Sequence, residues 1–250
     1  ILTDDPKIKA LAGNYDDLIP QPLYEGVKYI CFSNILPAQN NYRGWEIRSI
    51  ENINTVEQNL INRTIKADPF NLKFSTNISM YIDGNVLIKS NPFNFINQFI
   101  DSGASIAAFK HPLRENVYQE FDELIATGKL NTDEINKKKI LFNRMQNEGY
   151  DCKPMMTAGY IILRCHDNKN LKIAMKEWLQ IIFHECKRDQ ISLQYLLWKH
   201  KIKMVHLDDF CLPQAFFRRF NHGKYLQFLP RELQDFFKKA RYKLSNICVK

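Results

Sequence analysis

Residues 79–88 read Ser-Met-Tyr-Ile-Asp-Gly-Asn-Val-Leu-Ile, an apolar run that is broken by Asp83-Gly84-Asn85 and then resumes. The apolar, β-branched half before Asp83 suits a short buried strand. A carboxylate at the end of such a strand is costly to bury alone, and a metal ion or a hydrogen-bonded ligand is the usual compensation. Asp-Gly-Asn is also favourable turn chemistry, so a plain β-turn accounts for the same three residues. The polar residues that end the chain's other short apolar runs bear on the choice.

Residues 29–33 (Tyr-Ile-Cys-Phe-Ser) form a run ended by Ser33-Asn34, and residues 105–109 form one that leads into Lys110-His111-Pro112. Further strands are expected at 45–50, 159–164 and 203–207. Helical spacing of apolar residues appears over 57–66, 93–100, 114–128, 132–146, 170–186 and 189–200. Strands alternating with helices predict an α/β domain with a mostly parallel sheet flanked by helices, a Rossmann-related arrangement. Ligands in such sheets collect beyond the C-terminal strand ends, and Ser33, Asp83 and His111 all stand there. That shared placement argues for one site.

At 250 residues the chain has enough length for a substantial core, and 45% hydrophobic with 25% charged residues is ordinary for a globular protein. No apolar run approaches the roughly 20 residues needed to span a bilayer. Thr3-Asp4-Asp5-Pro6-Lys7 interrupts any signal-peptide core. A start at Ile1 rather than Met leaves room for a leader, an anchor or a neighbouring domain upstream. The six cysteines form no C-x-x-C pair, which predicts reduced thiols and a cytoplasmic setting. Residues 213–250 carry nine Lys or Arg against Glu232 and Asp235, a net +7 of the chain's +8. We therefore divide the chain into a main domain, 1–212, and a basic helical tail, 213–250, packed on it. Such a tail is either a solvated helix face or a contact for phosphates, an acidic polymer or the inner face of a membrane. Its basic residues fall in no recognised nucleic-acid module, so no nucleic-acid partner is expected. There is no Walker loop, no G-x-G-x-x-G and no hydrolase nucleophile signature.

Four polar constellations remain. Asp83 and Asn85 offer hard oxygen ligands suited to Mn²⁺ or Mg²⁺, with Gly84 allowing close backbone approach. His111-Pro112-Leu113-Arg114, followed by Tyr118 and Glu120, is either an anion- or sugar-binding helix start or a strand–helix corner with Arg114 paired to an acid. Arg188-Asp189-Gln190 is either a helix cap or a contact for sugar hydroxyls, and Asp189 could serve as a base beside an acceptor hydroxyl. His222-Gly223-Lys224 is either a basic loop or a third metal ligand (His222) with a phosphate contact (Lys224).

Taken in order, residues 29–33, then Arg63 and Lys66, then residues 79–85, then His111-Pro112-x-Arg114-x-x-x-Tyr118-x-Glu120, then Arg188-Asp189-Gln190-x-Ser192 resemble a glycosyltransferase-like family. Its plant members are associated with cell-wall pectin and mucilage, and its bacterial members with surface polysaccharides. The resemblance spans roughly residues 27–210. It implies a GT-A-type fold, a nucleoside-diphosphate sugar donor of UDP type, and a glycan acceptor. It also implies a Mn²⁺ or Mg²⁺ ion on Asp83 and Asn85, with His222 as a looser match. Ser33, Arg63, Lys66, Asp83, Gly84, His111, Arg114, Tyr118, Arg188, Gln190 and Lys224 are then the expected donor or substrate contacts, and Asp189 and Glu120 the candidate catalytic carboxylates. Asp-x-Asn stands where such enzymes often carry Asp-x-Asp. The alternatives are an inactive module of the same fold that binds an acidic polymer or membrane, and a metal-dependent hydrolase.

Overall fold

The computed structural model describes residues 5–11 (backbone only), 18–34, 36–50, 58–72, 76–128, 130–151 and 156–220. Among these residues eight strands form one sheet: β1 (Asp5–Leu11), β2 (Val27–Ser33), β3 (Gln39–Tyr42), β4 (Trp45–Ser49), β5 (Ile78–Ile82), β7 (Ile106–Lys110), β8 (Thr157–Cys165) and β9 (Met204–His206). Two short strands, β6 (Val86–Ile88) and β10 (Phe217–Arg219), pair antiparallel as a separate ribbon. The large sheet runs β3-β4-β2-β1-β5-β8-β7-β9. From the pairings, β1, β2, β4, β5, β7 and β9 all point one way and only β3 and β8 oppose them. The sheet is thus mixed but mostly parallel, as the alternation of strands and helices predicts.

Helices α1 (Gln58–Ala67), α2 (Phe93–Asp101), α3 (Val117–Ala126), α4 (Thr132–Asn147), α5 (Lys169–His184), α6 (Asp189–Lys199) and α7 (Pro213–Phe216) connect the strands. The period-2 alternation of side chains splits the core between the two sheet faces. Ile30, Phe32, Tyr81 and Ile162 face a cluster built with α1, α3, α4, α5 and α6. Tyr29, Cys31, Met80, Ile82 and Ile161 face the cluster of α2 and Phe216. Helix starts follow their local chemistry: Asn131 and Glu134 form a reciprocal capping box on α4, and Asn116 and Asn168 cap α3 and α5. Among the described residues no helix is long and apolar enough to cross a membrane.

Three elements differ from the sequence expectation. β1 lies near the middle of the sheet, between β2 and β5, although Asp5-Pro6-Lys7 reads as a break; register with two parallel neighbours outweighs weak local propensity. β3 is polar (Gln-Asn-Asn-Tyr) and is held by a hairpin whose turn residues Arg43 (φ 56°) and Gly44 (φ 83°) both adopt positive φ, the geometry that matches strand twist. The segment from 213, expected as helix, forms the four-residue α7 and then strand β10. Phe216 is buried and β10 pairs with β6, so residues 213–219 pack on the same body as the main domain. The rest of the tail, 221–250, lies outside the described residues.

Candidate functional site

Because six strands share one direction, the C-terminal ends of β2, β5, β7 and β9 open on one edge. Antiparallel β8 enters the sheet at that same edge. Ser33, Asp83, His111 and Asp208 therefore lie along one rim, joined by Thr157 and Gly159 of β8 and by Asp189 at the start of α6. Between Ala108 and Phe109 the β7–β8 register slips: Ala108 faces Ile162, whereas Phe109 faces Ala158. The slip leaves residues 159–161 without partners on β7, while the Tyr160 carbonyl still accepts from the Asp83 amide at 2.8 Å; bulges of this kind re-aim backbone beside functional sites.

The centre of the rim is a buried cation between two carboxylates. Lys66, on the last turn of α1, is only 6% exposed. Its Nζ pairs closely with Asp189 Oδ2 and lies 3.8 Å from Asp83 Oδ1. Burial pushes the Asp189 carboxyl up, but the charges of Lys66 and Arg63 outweigh it and hold the group below its ordinary value. Asp189 is accordingly ionised at neutral pH, a good hydrogen-bond acceptor and a weak base. Asp83 Oδ1 is 2.9 Å from the Tyr81 hydroxyl, which is also 2.9 Å from Asn62 Oδ1. A phenol has one proton, so it serves one of these acceptors at a time. Burial and the Asp83 charge both raise the Tyr81 pKa, which keeps that proton in place.

Gly159 fits beneath this cluster. A Cβ there would stand 2.8 Å from Lys66 Nζ, 3.2 Å from Lys66 Cε and 3.3 Å from Asp189 Oδ2. The position leaves no room for any side chain while the Lys66–Asp189 pair keeps its place. Two buried hydroxyls on the same elements, Thr157 Oγ1 and Ser192 Oγ, have no partner among the described residues.

Asp83-Gly84-Asn85 does form a turn, since the Val86 amide donates to the Asp83 carbonyl at 3.1 Å. The turn reading of these three residues is met. Asn85 is buried; its Nδ2 donates to the Phe220 carbonyl at 2.6 Å and its own carbonyl accepts from the Phe220 amide at 2.9 Å. An aspartate could not make the first of these bonds, which gives a physical reason for Asp-x-Asn. Asn85 Oδ1 is buried without a partner among the described residues. A buried orphan acceptor beside a carboxylate fits a hard cation or a ligand donor. Among the described residues no group of three or more His, Cys, Asp or Glu side chains is arranged to hold a metal; His222 and Lys224 lie outside the described residues.

The His111 ring caps the corner after β7: Nδ1 accepts from the amides of Leu113 (3.3 Å) and Arg114 (3.0 Å). Accepting there fixes the neutral tautomer with its proton on Nε2. Burial, then Arg114 and Arg219, push the His111 pKa down. Arg219 of β10 lies over the Tyr160 ring at 5.1 Å, and burial lifts Tyr160 to about 12 against the pull of Arg219.

A family model for the TOD1/MUCI70 glycosyltransferase-like domain matches residues 31–222. The chain belongs to this family. A comparison with curated protein sequences finds no match. Among solved structures, similarity extends to the glycosyltransferase GlyE of Streptococcus pneumoniae TIGR4 (10% identity, TM-score 0.44, 83% of this chain and 46% of that one). Mouse xyloside xylosyltransferase 1 (8%, 0.46, 82% and 85%) and the mannosyltransferase Ktr4p of S. cerevisiae (10%, 0.46, 87% and 70%) are also similar. The chain spans less than half of the pneumococcal protein.

Within the family's span, Arg63, Lys66, Asp83 and Asp189 converge, and Gly84, Asn85 and His111 stand on the same rim. Gln190 follows Asp189 in the first turn of α6 and is half-buried, and the Arg188 carbonyl accepts from Cys186 Sγ at 3.5 Å. Ser33 is fully buried, and its hydroxyl accepts from the Leu36 amide at 3.0 Å. The His-Pro-x-Arg segment divides. Arg114 is engaged by Glu120 (3.0 Å) and Glu123 (3.3 Å), the corner pairing that the sequence left open. Tyr118 accepts from Gln146 at 2.9 Å and packs on Phe142 of α4. Arg114, Tyr118 and Glu120 thus knit α3 to its neighbours, whereas His111 faces the rim. Sequence reasoning missed Tyr81, Gly159, Tyr160 and Arg219. Only Tyr81 carried a signal, being two residues before Asp83 and so on the same strand face.

Proposed function

We propose that this domain transfers a sugar from a nucleoside-diphosphate sugar, of UDP type, to a glycan acceptor. The observation that carries the reading is buried Lys66, held between Asp83 and Asp189 against Gly159 at the strand-end rim, in a member of a glycosyltransferase-like family. Breaking the bond between the sugar's anomeric carbon and the diphosphate leaves negative charge on the leaving group. Pre-positioned cations in a desolvated site stabilise such charge, often the largest catalytic term. Lys66 and Arg63 supply it from α1. His111 Nε2–H is a donor for a phosphate or sugar oxygen, because its other ring nitrogen is committed to the corner amides.

Asp83 and the orphan Asn85 Oδ1 are the residues that would hold Mn²⁺ or Mg²⁺, with His222 as a third ligand. A bound cation would supply Lewis-acid neutralisation of the diphosphate. Asp189, ionised and pinned by Lys66, orients the transferred sugar by accepting from its hydroxyls, with Gln190 beside it. The geometry favours Asp189 over Glu120 as the carboxylate that meets substrate, since Glu120 is committed to Arg114.

A thermal-shift panel of nucleoside diphosphates and nucleotide-sugars, with and without Mn²⁺, tests the reading on wild type and Asp83→Ala. One nucleotide series should stabilise the wild type and fail to stabilise the variant. No shift with any nucleotide, or an equal shift in Asp83→Ala, overturns it.

A further inference from the structure

A second cleft lies at the far end of α6. Nine residues at a helical rise of about 1.5 Å put Trp198 roughly 14 Å along the axis from Asp189. Glu148, Leu197, Trp198, Lys199, Lys201 and Ile202 line a cavity of about 650 Å³, inside the roughly 300–1,000 Å³ range of small-ligand clefts. Trp198 is 45% exposed, whereas Trp45 and Trp178 are buried. It is not loose: its ring lies 5.4 Å from Tyr150 and, nearly parallel, 6.3 Å from Tyr195. The polar wall is equally fixed. Tyr195 donates to Glu148 at 2.7 Å, and Lys199 bridges Glu177 (2.8 Å) and Glu148 (3.7 Å).

The backbone adds an independent sign. α6 ends with the Ile202 amide on the Leu197 carbonyl (2.8 Å) and the Lys201 amide on that of Trp198 (3.0 Å). This is the paired-bond helix ending whose left-handed residue is ordinarily glycine. Here it is Lys201, at φ 54°. A lysine held in a conformation that favours glycine, with its side chain in a cleft wall, points to a use for that side chain.

We propose that this cleft is a saccharide-binding subsite that holds a segment of a glycan chain away from the transfer site. A sugar ring presents an apolar C–H face and an equatorial rim of hydroxyls. A rigid exposed indole flanked by fixed carboxylate and ammonium groups complements both. Lys201 meets ring hydroxyls or, in an acidic glycan, a carboxylate. The inference rests on the glycosyltransferase reading for its ligand class alone; the cleft is independent of the Lys66–Asp189 cluster.

Tryptophan fluorescence tests it selectively, because of the chain's three tryptophans only Trp198 is open to a ligand. The intact chain is titrated with xylohexaose as an uncharged probe and hexagalacturonate as an acidic one, with calorimetry in parallel for variants. A saturable fluorescence change is expected with at least one probe. Trp198→Ala should weaken calorimetric binding at least tenfold. Lys201→Gly relieves the left-handed strain, so it should fold at least as stably as wild type while losing affinity at least threefold. A larger loss for the acidic probe assigns Lys201 to a carboxylate. No binding of either probe, or undiminished binding by Trp198→Ala, overturns the subsite. The nucleotide-induced thermal shift should persist in both variants, so failure of the subsite is distinguishable from failure of the donor site.

Discussion

Gly159→Ala separates crowding of the Lys66–Asp189 pair from every other effect at that position. The Gly159 φ lies outside the left-handed range, so alanine meets no backbone penalty. The added Cβ would stand 2.8 Å from Lys66 Nζ, against roughly 3.5–4.0 Å for relaxed contacts. The ammonium must therefore retreat by about 0.7–1.2 Å. Asp189 Oδ2, 3.3 Å from the same point, must give by a few tenths of an ångström. Overpacking costs about 1–3 kcal/mol, offset by about 0.5–1 kcal/mol from replacing glycine within a strand. The net is about 1 kcal/mol, or a fall in Tm of about 2–4 °C for a domain of this size. The functional effect should be larger. A displaced charge-assisted hydrogen bond is worth about 1.5–3 kcal/mol, roughly 10- to 100-fold in donor affinity. Calorimetry with the nucleotide-sugar that stabilises wild type, alongside melting curves, measures both. Donor affinity within twofold of wild type would refute the claim that Gly159 sets the position of Lys66 for substrate.

Lys66→Met should cost about 3–5 kcal/mol at pH 7.5, because it leaves a nearly buried Asp189 without its cation. In wild type the depressed Asp189 pKa contributes stability that is present above the unfolded carboxyl value and lost as pH falls through the lower folded one. In the variant burial should raise that pKa, so the deficit should shrink between pH 7.5 and 5.5 in urea melts; a constant deficit counts against the pairing. Asp83→Ala should abolish donor turnover, read as released nucleoside diphosphate, while the far-UV spectrum stays native. Asn85→Asp should lower stability by about 2 kcal/mol, since a carboxylate replaces the amide that donates to the Phe220 carbonyl; a Tm at or above wild type would contradict that contact. His166 is pushed down to about 4, first by burial and then by Arg164 and Lys172. The unfolded chain then binds the extra proton between about pH 6.5 and 4, and about 2–3 kcal/mol of stability should drain away as pH falls through that window. His166→Asn should flatten this slope in urea denaturation at pH 7 and 4.5.

Much of the rim that makes up the candidate site was legible because a strand tip is a local feature. Apolar runs that stop at Ser33, Asp83 and His111 declare both the strand and its exit, and parallel topology brings the exits together. Lys66 and Asp189 were placed near the donor by resemblance. Their mutual pairing was not readable, since it depends on how α1 and α6 cross the sheet. Gly159 was invisible for the same reason: a strand glycine has meaning only through what approaches it, and Lys66 is 93 positions away. The corner at Arg114 was ambiguous because an arginine just past a strand serves phosphate and carboxylate equally. β1 and β3 failed the usual tests because their order is imposed by neighbours rather than by their own side chains.

The ribbon of β6 and β10 has a consequence for when the site comes into being. Residue 85 waits for residue 220 to complete its hydrogen bonds, a closure across 135 positions. During synthesis, the sheet from β1 to β9 can form before that partner has left the ribosome. The rim is then open, with the Asn85 amide group and the edge of β6 bare to solvent. The entropic charge for so long a loop grows only slowly with length, yet it comes due before the contact gives anything back. Acquisition of substrate binding should therefore lag behind acquisition of secondary structure, and chains that stop short of Phe217 should fold without gaining the first from the second.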